Sequence, residues 1–184
     1  MKTHYAFLRN GAAQRSFMTL ILLTMVANAH AVDINFSATF QAPTCEVSAP
    51  AALDFGSVVS SDIKQGDSQK LPLDVTLSNC AGFLGAAMKP GVKVTGTGVT
   101  TAGDFLFRSA ASEAVNYGVL ITTSTKDVVR DNTFLPSALT SANFDGGSTT
   151  IPLTTALSCG TKCNDAATKA GALSASVTFT FVYQ

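Results

Sequence analysis

The strongest constraint on this chain is its last eleven residues. Ser174 to Gln184 reads S-A-S-V-T-F-T-F-V-Y-Q. Val177, Phe179, Phe181 and Tyr183 fall on one face, and Ser176, Thr178, Thr180 and Val182 on the other. Period-two alternation in β-branched and aromatic residues predicts a strand. Read to Gln184, the sequence offers no later segment to lie beside it. A sandwich closing on this strand has one neighbour position open, with backbone groups and an apolar row uncovered. The remaining segments are best considered in relation to that vacancy.

The opposite end has a different character. Lys2, Arg9 and Arg15 precede an apolar run from Phe17 to Ala27, and Ala29-His30-Ala31 supplies a small-x-small cleavage pattern. Residues 1–31 therefore read as a secretory signal peptide, with the mature chain starting at Val32 or, alternatively, at His30. The run is too short for a membrane span. Cleavage before Val32 removes both histidines, three of the twelve basic residues and none of the twelve acidic ones, leaving a net charge of −3 on the mature chain. A weakly acidic surface without a basic run argues against nucleic acid and anionic lipid as partners.

All four cysteines, Cys45, Cys80, Cys159 and Cys163, lie in the exported part. An even count in that compartment reads as two disulfides, with three connectivities open. The favoured one is Cys45–Cys80 with Cys159–Cys163. The first closes a loop of about 36 residues, worth roughly 4 kcal/mol in the chain-entropy account, and the second a very small one worth about 2 kcal/mol. The rival reading of C-G-T-K-C as half a zinc site lacks histidine and a second close cysteine pair.

Between the two ends the chain alternates short strand patterns with turns. Asp33 to Gln41 is amphipathic, with Ile34, Phe36, Ala38 and Phe40 on one side. Taken by composition alone it reads more simply as a first strand paired inside its own sandwich. Leu53 to Val59 is apolar around Gly56, and Ser60 to Lys70 is polar and loop-like. Leu71, Leu73, Val75 and Leu77 alternate up to Cys80. Gly91–Val99, Phe105–Phe107, Tyr117–Thr123 and Thr149–Leu157 follow as strands. Val128–Phe134 is expected to complete a hairpin with Tyr117–Thr123 across a turn at Ser124–Asp127. Lys162–Gly171 is polar, small and connecting. About seven strands and no helical period beyond two turns make an all-β domain, most simply an immunoglobulin-like sandwich. No internal repeat or composition break divides it.

The exported chain has no histidine for a Ser-His-Asp or Cys-His arrangement. Its two glutamates, Glu46 and Glu113, lie in no acid/base motif, and no glycine loop cradles phosphate. The expectation is a protein without enzymatic activity, cofactor or metal. A secreted lectin-like binding module is the alternative, weakened by the absence of Trp and the scarcity of Tyr.

The ordered set of motifs resembles the pilin subunits of chaperone–usher fimbriae, especially minor subunits of type 1-like fimbriae. A signal peptide is followed at once by an alternating extension, Val32-Asp33-Ile34-Asn35-Phe36-Ser37, and Cys45 opens the body. Leu73-Asp74-Val75-Thr76-Leu77-Ser78-Asn79-Cys80 is similar to the family's second-strand motif. The C-terminal signature has a glycine fourteenth from the end and a penultimate aromatic, here Gly171 and Tyr183. Two features depart from the pattern. Ala38 stands where the extension usually carries glycine, seven residues before the first cysteine, and Cys159/Cys163 is an extra pair.

The resemblance implies a single incomplete immunoglobulin-like β-sandwich lacking its last strand. It divides the chain into a signal peptide (1–31), a donor-strand extension (32–44) and a pilin domain (45–184). It further implies a structural subunit that polymerises by donor-strand exchange and contributes to cell adhesion. The donor residues would be Ile34, Phe36, Ala38 and Phe40. The acceptor groove and chaperone-binding strand would be Val177, Phe179, Phe181 and Tyr183, faced by the first strand after Cys45. Neighbouring fimbrial subunits, a periplasmic chaperone and an outer-membrane usher are the implied partners, and the route runs through the periplasm to the cell-surface fimbria.

Overall fold

The computed structural model describes residues 34–65, 68–101 and 103–184. The expected signal peptide and its cleavage site lie outside these residues. Thr39–Gln184 forms one compact unit, in which the described residues make nine strands, one short helix and a 3₁₀ turn.

The strands are β1 (Thr44–Ser48), β2 (Lys70–Ala81), β3 (Pro90–Gly96), β4 (Gly98–Thr101), β5 (Asp104–Phe107), β6 (Gly118–Thr123), β7 (Phe134–Pro136), β8 (Thr149–Ser158) and β9 (Val177–Tyr183). They make two antiparallel sheets. The larger has the order β1-β2-β8-β6-β5-β4 and the smaller β7-β3-β9. Their inner faces form the core. Leu73, Val75 and Leu77 of β2, Leu153 of β8 and Ile121 of β6 contribute from one side, Val92 and Val94 of β3 and Leu135 of β7 from the other. These rows are the period-two rows of the sequence, because consecutive strand residues point to opposite faces. Leu84, Val129, Leu139 and Phe144, from connections, are buried in the same core.

The structure contains both favoured disulfides, Cys45–Cys80 and Cys159–Cys163. The first ties β1 to β2, its partner in the sheet. The second closes the 3₁₀ turn Gly160–Lys162 that follows β8.

Four local expectations are corrected. Ser60–Lys70 contains a single-turn helix, α1 (Ser60–Gln65). Leu53–Val59 carries no strand, although Leu53, Phe55 and Val58 are half-buried. Gly91–Val99 is two strands, because the chain changes sheets at Thr97. There its hydroxyl donates to the Arg108 carbonyl and the Arg108 N–H donates to the Thr97 carbonyl. Finally, Val128–Phe134 bridges β6 only at Thr122/Val128 and through the Val129 N–H to the Ile121 carbonyl. The chain then crosses to pair Phe134–Pro136 with β3. A strand's alternation encodes which face is buried but not which neighbour covers its edge.

Candidate functional site

The site grows from β9. Its register with β3 places Phe181 opposite Val92 and Phe179 opposite Val94, and opposite residues in an antiparallel pair share a face. Val177, Phe179 and Phe181 are accordingly half-buried and packed against the core, whereas Thr178 and Thr180 are exposed. Phe181 lies 6.0 Å from Phe144 and 6.3 Å from Tyr183, centroid to centroid. Tyr183 itself is 39 % exposed.

The backbone of β9 can be assigned group by group. Lys89 and Gln184 exchange both hydrogen bonds, N–H to carbonyl at 2.7 and 3.0 Å. Bonded and non-bonded pairs alternate along an antiparallel ladder. Val182, Thr180 and Thr178 therefore bond to β3, while the N–H and C=O groups of Tyr183, Phe181, Phe179 and Val177 point the other way. Pro90 fits the same parity. It faces Tyr183 at a non-bonded position, where its missing N–H removes no bond to β9, and its carbonyl accepts from Ser137 N–H at 2.9 Å on the other side. Among the described residues no strand pairs with the outer edge of β9. One edge thus presents a row of main-chain donors and acceptors above an apolar row.

A groove of about 830 Å³ runs beside this edge. Its floor is the inner face of the larger sheet, with Leu73, Val119, Ile121 and Leu157. One wall is Gly171–Phe179, and the other is the unpaired segment Pro50–Val58. Thr155, buried in the floor, is satisfied by donating its hydroxyl to the Leu71 carbonyl at 3.0 Å. The groove is therefore apolar beneath and rimmed by main chain. Such a shape takes an extended segment with alternating apolar side chains.

One end of the groove is held by contacts that the sequence reading passed over. The Arg108 guanidinium donates to the carbonyls of Ser112, Ala114 and Tyr117. The loop it orders receives the chain before β9, with Glu113 and Ala114 N–H both donating to the Ala172 carbonyl. Gly171 lies so close that an added Cβ would sit 3.0 Å from Glu113 Cβ and 3.1 Å from Ala114 N. A side chain there would push the wall outward. Ala114, Tyr117 and the fully buried Cys159 form a second small core, with Ile63, Cys163 and Leu173 packed on it. Leu53 and Phe55 carried a readable signal, their alternation. Tyr117 was read as the first residue of a strand that begins at Gly118, and Ala114, on an irregular loop, carried no signal.

The other predicted residues have a contrasting setting. Ile34, Phe36 and Phe40 are 68, 91 and 94 % exposed, Ala38 is exposed as well, and residues 34–43 belong to no strand. Among the described residues no cluster of three or more His, Cys, Asp or Glu side chains is arranged to hold a metal ion. The Asp165 carboxyl is held below its ordinary range by the Ala167 N–H and by Lys162, in a loop outside the groove.

The family model for fimbrial proteins matches residues 34–184, which includes the extension, the groove and the terminal strand. The chain belongs to the fimbrial protein family. Two solved structures place this fimbrial protein among its neighbours. The crystal structure of the P pilus rod subunit PapA is 26 % identical with a TM-score of 0.56, over 76 % of this chain and 99 % of that one. A chaperone–usher pilus structure concerned with rod uncoiling has the same TM-score at 22 % identity, over 85 % of this chain and 97 % of that one, a likeness of fold. No curated protein sequence matches significantly. The two-sheet sandwich with an open terminal edge is thus the pilin fold.

Proposed function

We propose that this fimbrial protein is a structural subunit of a chaperone–usher surface fimbria that polymerises by donor-strand exchange and contributes to cell adhesion. The open outer edge of β9 above the 830 Å³ groove carries the reading. An uncovered edge over an apolar row is an aggregation hazard, so something must occupy it. A periplasmic chaperone does so first, on Val177, Phe179, Phe181 and Tyr183. At the outer-membrane usher, the extension of the next subunit replaces it. That extension, residues 32–44, brings Ile34, Phe36, Ala38 and Phe40 on one face. Burial of Ile34, Phe36 and Phe40 contributes roughly 1.5–3 kcal/mol each, and the main-chain ladder adds to this. Dissociation of such a joint is very slow. No catalytic step and no cofactor enter this function. The subunit passes through the periplasm to the cell-surface fimbria.

The 68–94 % exposure of Ile34, Phe36 and Phe40 supports the same division of roles. Three large apolar side chains held in water at alternate positions are costly unless a partner receives them. The test is a thermal melt of subunit released from chaperone, with and without a peptide of residues 32–42. Both the full mature subunit and a variant lacking residues 32–42 are expected to be stabilised by the peptide. If neither melt shifts, the groove is not an acceptor. If only the deletion variant loses the response, the extension belongs to its own domain's core.

A further inference from the structure

Phe83 is 84 % exposed, yet its loop is not loose. The next residue, Leu84, is 1 % exposed and belongs to the main core. On the other side, Gly82 donates its N–H to Asp145 Oδ1 at 3.2 Å. Cys80, two residues earlier, is tied to Cys45, and its carbonyl accepts from the Gly146 N–H at 2.8 Å. Gly82 adopts φ +99°, a conformation side chains rarely take, and a Cβ there would lie 3.2 Å from Pro43 Cα. A tight turn thus seats the base of Phe83 against the foot of the N-terminal extension. With Leu84 committed inward, the phenyl ring is directed to solvent.

We infer that Phe83 is a second contact surface, which packs on the neighbouring subunit whose groove receives the extension. This inference rests on the donor-strand reading. Only Gln41 and Ala42 separate Phe40 from Pro43, and three Cα steps span at most about 10 Å. Once Phe40 is seated in a neighbour's groove, the neighbour's body lies within that tether of Pro43, and Gly82, the residue before Phe83, is packed against Pro43. The ring therefore becomes buried as the joint forms. It acts as a stop that stiffens the joint and slows its dissociation, whereas an isolated extension peptide has no such contact.

The experiment compares three donors on one acceptor subunit: the full mature subunit, its Phe83→Ser variant and the 32–42 peptide. Dissociation of each preformed complex is followed by exchange against excess labelled peptide. The Phe83→Ser complex is expected to dissociate roughly tenfold faster than wild type, as loss of one buried aromatic contact implies. Backbone hydrogen exchange at residues 81–88 is expected to slow in the wild-type joint relative to the free subunit. Equal dissociation rates for wild type and Phe83→Ser, with no change in exchange at residues 81–88, would overturn the inference. Failure of the peptide to bind at all would instead overturn the donor-strand reading beneath it. An unchanged melt of the free variant confirms that its fold is intact, as expected for so exposed a side chain.

Discussion

Arg108 orders a stretch of chain that has little regular structure of its own. Its guanidinium satisfies three carbonyls of one partly buried loop, and that loop in turn seats Gly171 and Ala172 ahead of β9. Replacement by alanine strands those acceptors and is expected to destabilise the subunit by about 2 kcal/mol. The reading is a lower urea midpoint with an unchanged slope. Arg108→Lys should recover only part, because an ammonium lacks the planar fork that reaches several carbonyls at once. An alanine variant with the wild-type midpoint would mean that the backbone bonds from Glu113, Ala114 and Val115 hold the loop unaided. Gly171 illustrates the complementary constraint. Its place in the C-terminal motif was legible, but the reason for it, the closeness of Glu113 and Ala114, is a property of the packed wall.

At the scale of elements, β9 serves two roles through two kinds of group. Its side chains at Val177, Phe179 and Phe181 pack inward, while the backbone of those same residues faces the open edge. Phe179→Ser with Phe181→Ser removes the apolar row under that edge. The double variant is expected to fail to co-purify with the chaperone and to disappear from the periplasm. Thr178→Ser with Thr180→Ser changes only the exposed face and should leave capture unchanged. Normal chaperone co-purification of the phenylalanine double variant would count against β9 as the docking strand. The segment Pro50–Val58 is the counterpart across the groove. Leu53, Phe55 and Val58 turn partly inward, but no ladder forms, since a strand exists only with a neighbour to bond. In the proposed fibre that neighbour is another subunit's extension.

At the scale of the whole molecule, the proposed donor face is exposed in the free subunit, so a charge placed there should separate folding from assembly. Phe36 is 91 % exposed in the subunit, so Phe36→Glu costs the free subunit almost nothing. In a neighbour's groove the same carboxylate is buried without a partner, at a cost of several kcal/mol. The variant is expected to melt like wild type and to bind the chaperone, but to be absent from fimbriae. Immunoblots of sheared fimbriae and periplasmic extracts provide the measurement. Incorporation at the wild-type level would remove Phe36 from the donor face. The parity of the strand sharpens the expectation, because a slip of one residue would turn the whole apolar row outward.

Faces and clasps were legible in the residues themselves. Leu73, Val75 and Leu77, and likewise Val177, Phe179 and Phe181, bury the sides that their alternation marks. This follows because side-chain direction along a strand is a local property of the backbone. The cysteine spacing likewise allowed the pairing that forms, once the exported context made disulfides the expectation. Partnership was decided only by the tertiary structure. Gly91–Val99 reads as one strand but splits between two sheets at Thr97. Phe134–Pro136 passes beyond β6 to join β3, and Leu53–Val58 has the apolar content of a strand without a ladder. An edge is closed by whichever segment the three-dimensional arrangement brings within hydrogen-bond reach, and alternation contains no term for that. The Arg108 clamp and the outward ring of Phe83 belong to the same class, because each is set by contacts between segments that are irregular in sequence and meet only in the folded body.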